Sequence, residues 1–240
     1  MRLDKGLSNF GFGSRNEVKK LVKNGLVKVD GDTVNEPSMH VDPEKSMIDV
    51  AGTLLNYRKY IYIMMNKPAG VISATSDNRF RTVVDLLPEE FACFKLFPAG
   101  RLDMDTEGLV LLTNDGQLAH NLLSPKKHVN KRYYARIDGR VTDEDVKSSR
   151  EGVVLDDGYK TMPAELEILK AGRYSEIELV LYEGKFHQVK RMFEAVGKRV
   201  IYLKRIQMGK LKLDEALSPG ACREMTAEEV ALLRESTEGC

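Results

Sequence analysis

The stretch AGRLDMDTEGLVLLTNDG, residues 99–116, combines a charged loop with an apolar strand. Arg101, Asp103 and Asp105 come just before the continuous apolar run at residues 109–112. A short apolar run bounded by turn residues is typical of a strand that is buried on both faces of a sheet. We therefore expect a rigid central strand, with the two acids on the loop that leads into it.

The segments around this strand have the periodicity of further strands and few helices. The expected strands are YIYIMM (60–65), KRYYARIDG (131–139), YSEIELVLYEG (174–184) and RVIYLKRIQMG (199–209). Helices are expected at 117–123 and at 186–196, the second with Phe186 and Val189 on its apolar face and Lys190 on its polar face. This pattern predicts an α+β domain built on a mixed, mainly antiparallel sheet with flanking helices.

Residues 1–58 read as a separate small domain, followed by a larger one at 59–240. Leu3 and Leu7 have helical spacing, and Ser14 with Glu17 forms the capping-box pattern that opens a second helix. The sequence LVKVDGDTV (26–34) predicts a hairpin with its turn at Asp30-Gly31. Residues 44–59 have the composition of a linker.

The composition bounds the class of protein. The 240 residues carry a net charge of +1, but residues 1–28 hold seven basic residues against two acidic ones, and residues 185–212 hold nine against one. Such clustering favours a nucleic-acid partner. The three cysteines form no Cys-x-x-Cys pair, no apolar run is long enough to span a bilayer, and the N-terminus lacks a signal-peptide pattern. We expect a cytoplasmic protein without a metal site.

The Asp-x-Asp pair admits several interpretations from its residues alone. A phosphoryl-transfer site of the Asp-x-Asp-x-Thr type would need the apolar strand before the acids, whereas here the strand follows them. A calcium loop would need further oxygen ligands and a closing Glu. Asp103 and Asp105 also suit turn or capping positions without any chemistry.

The N-terminal string RLDKGLSNFGFGSRNEVKKLVKNGLVKVDGDTV (2–34) resembles the RNA-binding domain of ribosomal protein S-four, the alpha-L motif. The shared features are a leading Arg-Leu-Asp, a Ser-Arg that opens the second helix, and a Gly before the hairpin. The resemblance implies RNA contacts through the second helix and the hairpin. The residues implied are Arg2, Ser14, Arg15, Lys19, Lys20, Lys23 and Lys28.

The string GRLDMDTEGLVLLTNDG (100–116) resembles the signature of bacterial pseudouridine synthases of the RsuA branch. Further segments match in the expected order: NKPAG (66–70), LLSPKKHVNKRYYARIDG (122–139), LYEGKFHQVKRMFEAVG (181–197) and LKRIQMGKLKL (203–213). An N-terminal S-four-like domain is also the usual arrangement in that family. The resemblance implies an isomerase that converts a uridine in RNA to pseudouridine without a cofactor or a metal.

The resemblance also implies the roles of individual residues. Asp103 matches the catalytic nucleophile, Tyr133 the aromatic residue that stacks on the target uracil, and Lys190 the cation beside the aspartate. Asp105 and Thr106 are expected to hold the loop through its amides, and Asn114 or Asp115 to cap the next helix. The RNA contacts expected in this domain are Arg101, as a wedge that fills the gap left by the extruded base, and Lys131, His187 and Arg191.

Several alternatives stay open at this level. The Ser-Pro-x-x-His-Val string at 124–129 is similar to enzymes of small-subunit (16S) ribosomal RNA, so we expect that RNA, naked or in an assembly intermediate, as the substrate of a monomer. A large-subunit enzyme of the same family is the alternative target class. A non-catalytic ribosome-assembly protein is a second alternative, and a metal-dependent phosphotransferase a third. A covalent adduct and a glycal intermediate are both compatible with the sequence.

Overall fold

The computed structural model describes residues 1–55 and 57–238, which form two compact units. The first comprises Met1–Ile61 with Pro88–Lys95, and the second comprises Tyr62–Leu87 with the chain from Leu96 onward. Asn56, in the expected linker, and Cys240 lie outside the described residues. The expected domain boundary after residue 58 stays a prediction. Within the described part of the chain, no helix is long and apolar enough to cross a membrane.

Six helices and thirteen strands are defined within the described residues. The helices are α1 Leu3–Asn9, α2 Arg15–Lys23, α3 Gly116–Leu123, α4 Asp143–Glu151, α5 Gln188–Ala195 and α6 Ala227–Glu238, with short 3-10 turns at Val84–Leu86, Glu89–Phe94 and Pro125–Lys127. The strands are β1 Val27–Val29, β2 Asp32–Thr33, β3 Ile48–Val50, β4 Thr53–Leu54, β5 Tyr62–Lys67, β6 Phe97–Pro98, β7 Glu107–Thr113, β8 Lys131–Asp138, β9 Glu165–Lys170, β10 Tyr174–Leu181, β11 Arg199–Met208, β12 Leu211–Lys212 and β13 Cys222–Glu224. The mixed α+β class is confirmed.

The first unit packs two helices on a four-stranded sheet of order β2-β1-β3-β4. Both halves of the capping box are present, because Ser14 accepts from the Glu17 amide and Glu17 accepts from the Ser14 amide. The β1–β2 hairpin turns at Asp30 and Gly31, whose φ angles of 55° and 95° are those of a tight hairpin turn. The predicted helices and hairpin are therefore confirmed.

The linker prediction for residues 44–59 is wrong. Ile48 and Val50 are buried on β3 and pair with β1, and β4 pairs with β3 in turn. Only Ile48 and Val50 alternate with polar residues in this segment, and a pattern of two apolar residues is too short to predict a strand. The segment Pro88–Lys95, expected in the second domain, also belongs to the first unit, where the ring of Phe94 lies 6.1 Å from that of Phe10.

The second unit is built on a nine-stranded sheet. Its main path has the order β13-β5-β7-β11-β8-β10-β9, with β12 added to β11 and β6 to β7. Among the described pairs only β7–β11 is parallel. Residues 109–112 of β7 are buried, as predicted, and this central position makes β7 a rigid support for the loop that precedes it.

Gly108 allows β7 and β11 to approach closely. Its φ is +101°, and a Cβ built there would lie 2.2 Å from the carbonyl oxygen of Arg205. Arg205 is buried beside it and donates from Nε to the carbonyl of Leu109 at 2.8 Å. The glycine after Asp-x-Asp-Thr-Glu is thus required by strand packing.

The predicted helix at 186–196 begins later than expected. His187 adopts a left-handed conformation with φ 49°, which cannot continue into a helix, and α5 begins at Gln188. Phe186 consequently lies outside the helix and is exposed, whereas Val189 and Phe193 are buried as predicted. The expected place of Phe186 on the apolar face was wrong.

Candidate active site

The loop that carries Asp103 connects β6 to β7 and is fixed through its backbone. The Asp103 carbonyl accepts from the Thr106 amide at 3.1 Å, which closes a turn. The buried Ser73 hydroxyl accepts from the Leu102 amide at 3.0 Å and donates to the Leu102 carbonyl at 3.1 Å. Asp103 therefore projects from a backbone that is fixed on both sides of it.

Lys67 holds the same loop from below. It is fully buried, and its Nζ donates to the carbonyls of Pro68, Met104 and Thr106 at 3.0, 3.2 and 2.7 Å. Burial lowers the pKa of Lys67 to about 8, although Asp105 and Asp103 oppose that shift. The position of Lys67 within NKPAG did not predict this role, since a lysine in a turn motif is typical of a surface residue.

Lys190 of α5 reaches both acids of the loop. Its Nζ lies 3.2 Å from Oδ2 of Asp103 and 2.6 Å from Oδ1 of Asp105. Burial disfavours the charge of Lys190, but hydrogen bonds to the two carboxylates raise its pKa overall. The ammonium thus contacts both carboxylates of the loop. His187 lies on the other side, with Nε2 3.6 Å from Oδ1 of Asp103.

A buried polar network positions α5. The carboxylate of Glu183 accepts from the Tyr159 hydroxyl, the Met162 amide and Nε2 of Gln188 at 2.7 to 2.9 Å. Gln188 in turn accepts from the Lys185 amide at 2.9 Å. Sequence reasoning missed these roles of Glu183 and Gln188, although both lie in the quoted segment LYEGKFHQVKRMFEAVG and their five-residue separation was visible there.

A pocket opens above Asp103. It is lined on its polar side by Arg101, Asp103, Thr106, Tyr133, His187 and Gln188. Tyr133 and Tyr134 are adjacent on β8 and so point to opposite sides of the strand. Tyr133 lines the pocket, whereas the Tyr134 hydroxyl donates a hydrogen bond of 2.7 Å to Glu176. The structure therefore brings Asp103, Tyr133 and Lys190 to one place, as the sequence led us to expect.

The neighbours of Asp103 differ in detail from expectation. Asp105 has 71% of its side chain exposed and pairs with Lys190, which lowers its pKa although burial works in the opposite direction. Thr106 was expected to bond loop amides, but its Oγ1 is buried without a hydrogen-bond partner among the described residues. Asp115 caps α3 as predicted, since it accepts from the Leu118 amide at 3.0 Å.

The four residues predicted to contact RNA in this domain have different surroundings. Arg101 is exposed at the pocket, and within the described chain no ion pair joins it to Asp105. Arg191 instead pairs with Asp156 and Asp157, its Nε lying 2.6 Å from Asp156 Oδ1. The Arg191 side chain points about 100° around α5 from Lys190 and therefore does not face Asp103. Its pairing with the two aspartates neutralises the charge that was expected to meet a phosphate.

The prediction for Lys131 is wrong. Its side chain is buried, and Nζ donates to the Val129 carbonyl at 2.6 Å. Burial lowers the pKa of Lys131 to about 8, with Arg205 as a second cause. The inward face of β8 places this lysine in the interior, where no phosphate reaches it. His187 does line the pocket, as described above.

The first unit has a basic surface of its own. Lys20, Lys23 and Lys28 are exposed on α2 and β1, and Lys19 is half-buried. Arg2 and Arg15 both pair with the buried carboxylate of Asp4, at 2.8 and 3.1 Å. Ser14 is engaged in the cap of α2.

In residues 1–55 and 57–238, no group of three or more His, Cys, Asp or Glu side chains is arranged to hold a metal ion.

The loop, pocket and basic unit together define a class of protein that acts on RNA. Residues 61–195 match the RNA pseudouridylate synthase family, and residues 1–46 match the S4 domain family. The chain belongs to the pseudouridine synthase family, whose members are isomerases that convert uridine to pseudouridine, and it carries an N-terminal RNA-binding S4 domain.

Individual relatives match nearly the full length of the chain. An uncharacterized RNA pseudouridine synthase of Bacillus subtilis (strain 168) is 54% identical over 98% of this chain and 99% of its own. The ribosomal small subunit pseudouridine synthase A of Yersinia pestis is 39% identical over 96% of this chain and 97% of its own. The ribosomal large subunit pseudouridine synthase B of Bacillus subtilis is also 39% identical, over 97% and 95%.

A crystal structure of a pseudouridylate synthase has the same fold. It superposes with a TM-score of 0.69 at 36% identity, covering 97% of this chain and 99% of the other. The likeness thus includes the strands and loops that form the site.

Proposed function

We propose that this chain converts one uridine of small-subunit (16S) ribosomal RNA to pseudouridine, with Asp103 as the catalytic carboxylate. The observation that carries the proposal is the position of Asp103: its carboxylate lines a pocket beside Tyr133, and Lys190 Nζ lies 3.2 Å from it. A carboxylate so placed suits attack on, or proton removal from, a sugar or base held in that pocket.

The reaction is an internal rearrangement. The bond between N1 of uracil and C1′ of ribose breaks, the uracil rotates, and C5 bonds to C1′. C5 loses a proton and N1 gains one, so atoms balance and nothing is oxidised or reduced. The protein must therefore supply a nucleophile or base, a support for the detached uracil, and a means of extruding the nucleotide from the RNA.

Each role has a candidate in the pocket. Lys190 keeps the Asp103 carboxylate oriented through a charge-assisted contact at 3.2 Å. The Tyr133 ring supplies a face for the uracil, a contact worth about 1–3 kcal/mol in nucleic-acid sites. The buried hydroxyl of Thr106, which lacks a protein partner among the described residues, is available to a polar group of the base.

RNA contacts outside the pocket complete the proposal. The exposed guanidinium of Arg101 is suited to fill the space left by the extruded base. The exposed lysines 20, 23 and 28 of the S4 domain supply charges for the phosphate backbone. The proposal also includes four residues of the S4 domain that are paired or partly buried. Arg2 and Arg15 pair with Asp4, Ser14 caps α2, and Lys19 is half-buried.

The choice of small-subunit RNA rests on a short motif. The relatives named above include one small-subunit and one large-subunit enzyme at equal identity, so overall similarity does not favour either. The Ser-Pro-x-x-His-Val string at residues 124–129 supports the small subunit. We further propose that the enzyme acts in the cytoplasm as a monomer and without a cofactor.

The test is to incubate the protein with full-length 16S and 23S transcripts, and with small-subunit assembly intermediates, and to map pseudouridine. We expect one modified position in 16S RNA or in its assembly intermediate. Product in 23S RNA alone would overturn the target class and leave the chemistry standing. Binding to these RNAs without product in any of them would favour the non-catalytic assembly protein.

A further inference from the structure

Phe186 is the most exposed of the large apolar side chains in the described part of the chain, with 76% of its surface accessible. Its neighbours in sequence do not extend the apolar surface, since Lys185 is charged and Gln188 and Val189 are buried. A lone aromatic ring surrounded by polar groups is too small for a protein interface, which buries roughly 800 Å² on each partner.

The ring of Phe186 is held in a defined orientation. It stacks on the imidazole of His187, with centroids 3.8 Å apart and planes inclined by 17°. His187 is itself fixed by its left-handed backbone at the start of α5, and its Nε2 lies 3.6 Å from Asp103 Oδ1. The stacked pair therefore extends outward from the pocket and presents the free face of Phe186 to solvent.

The charge around the pair is suited to RNA. Arg101 and Lys185 are exposed residues that line the same pocket, and both are free to approach a phosphate as far as the described contacts show, although Lys185 also lies 4.5 Å above the Tyr159 ring. Nucleic-acid sites commonly combine such cations with aromatic rings on which bases stack. A flat, apolar face next to cations has the chemistry of a nucleobase support.

We propose that the Phe186–His187 pair is a platform on which an unpaired base next to the target uridine stacks. The inference rests on the proposed function and adds a second base-binding position to the one at Tyr133. It assigns Phe186 the task of holding the RNA strand in register, so that the target nucleotide enters the pocket beside Asp103. Phe186 is thus a positioning residue and not a catalytic one.

Fluorescence tests the platform directly, because the chain contains no tryptophan. Phe186→Trp introduces a single indole at the platform, and Tyr174→Trp is the matched control. Tyr174 is also an exposed aromatic beside an arginine, but it lies five residues along β10 from Leu179, the partner of Tyr133, or about 17 Å away. Both variants also carry Asp103→Asn, which removes turnover during the titration.

The titrant is a short single-stranded oligouridylate whose binding is followed independently by anisotropy of a terminal dye. We expect the indole emission to be quenched on binding in Phe186→Trp and unchanged in Tyr174→Trp. Unchanged emission at 186 under conditions where the oligonucleotide is bound would overturn the platform. Lack of any binding would overturn it as well, since a stacking site needs no particular sequence.

A second set of variants separates the platform from the proposed function. Phe186→Leu keeps an apolar side chain and removes the π face, and we expect RNA affinity to fall between about five- and 150-fold, with KM raised and kcat little changed. Phe186→Trp should retain wild-type KM, and so should Tyr174→Leu. An active wild type with unchanged KM in Phe186→Leu would refute the platform alone. A wild type that forms no pseudouridine would refute the proposed function, while the quenching result still decides the platform.

Discussion

The Nζ atom of Lys190 lies 3.2 Å from Oδ2 of Asp103, although Lys190 belongs to a helix and Asp103 to a loop in a distant part of the sequence. The same ammonium lies 2.6 Å from Asp105, 85 residues away. One cation thus contacts two carboxylates of unequal exposure, 27% for Asp103 and 71% for Asp105. The more buried carboxylate, that of Asp103, faces the pocket.

Replacing Lys190 is expected to lower activity without preventing folding. In Lys190→Gln the carboxylate of Asp103 loses its charged partner, and we expect kcat to fall roughly 100-fold, as when other preorganised donors are removed. Lys190→Arg, which keeps a cation, should recover part of that loss. The measurement is single-turnover pseudouridine formation at saturating protein. The control is Asp105→Asn, for which a loss below about fivefold is expected because this carboxylate is largely exposed.

Gly108→Ala is expected to destabilise the second unit. The added Cβ would approach the Arg205 carbonyl, and the φ of +101° strains any residue other than glycine, so we expect a loss of about 3 kcal/mol in unfolding free energy. Gly116→Ala is the matched control, because Gly116 lies at the start of α3 with nothing within 4 Å of the added Cβ. Denaturant unfolding measures both, and equal midpoints would contradict the close strand packing.

Lys131 is expected to make stability depend on pH on the alkaline side. Burial holds its pKa at about 8 in the folded chain, against about 10.4 when unfolded. Below pH 8 the lysine is charged in both states and the cost of burying that charge is fully present. Between these two values the unfolded chain binds more protons, so the unfolding free energy rises with pH, by at most about 3 kcal/mol.

The variant Lys131→Met tests that dependence. It should be more stable than the parent at pH 7, and the rise above pH 8 should shrink to the part contributed by Lys67, whose pKa burial also lowers to about 8. Lys147→Met, a change at an exposed lysine, should keep the rise. RNA affinity at pH 7 should be unchanged in Lys131→Met. A fall in affinity with no change in stability would return Lys131 to the RNA surface.

The S4 domain is expected to contribute to the salt dependence of RNA binding. Each phosphate contact contributes about 0.7–0.9 to the slope of log affinity against log salt, so replacing Lys20 and Lys23 by Gln should reduce that slope by about 1.5. The same change at Lys147 and Lys170, which are exposed on the second unit, is the control and should leave the slope unchanged. Equal slopes for all proteins would count against RNA contacts by α2.

Local features of the fold were predictable because their causes are local. The capping box at Ser14 and Glu17 satisfies amides within one turn, and the buried strand β7 is encoded by its own apolar run. Ile48 and Val50 escaped prediction because strands of three residues give too short a pattern. Their burial depends on pairing with β1, which residues 44–59 alone do not encode.

The residues that line the candidate site were predictable from the sequence, whereas the buried residues that position them were not. The pocket contains Asp103 and Tyr133, which the motif resemblance singled out. Lys67 belongs to a turn motif and Lys131 was expected to contact RNA, and only tertiary packing buries these two lysines. Phe186 has helical spacing with Val189, but the left-handed backbone of His187 makes the helix begin only at Gln188 and leaves the Phe186 ring exposed.

The proposed catalytic role of the Asp103 carboxylate in the isomerisation can be tested by substitution. The most direct measurement compares pseudouridine formation by the wild type, Asp103→Asn and Asp105→Asn on the same ribosomal RNA, with circular dichroism and RNA affinity as controls for folding and binding. We predict no product from Asp103→Asn, with folding and RNA binding retained, and near wild-type product from Asp105→Asn. Product from Asp103→Asn at the wild-type rate would show that another group carries out the reaction.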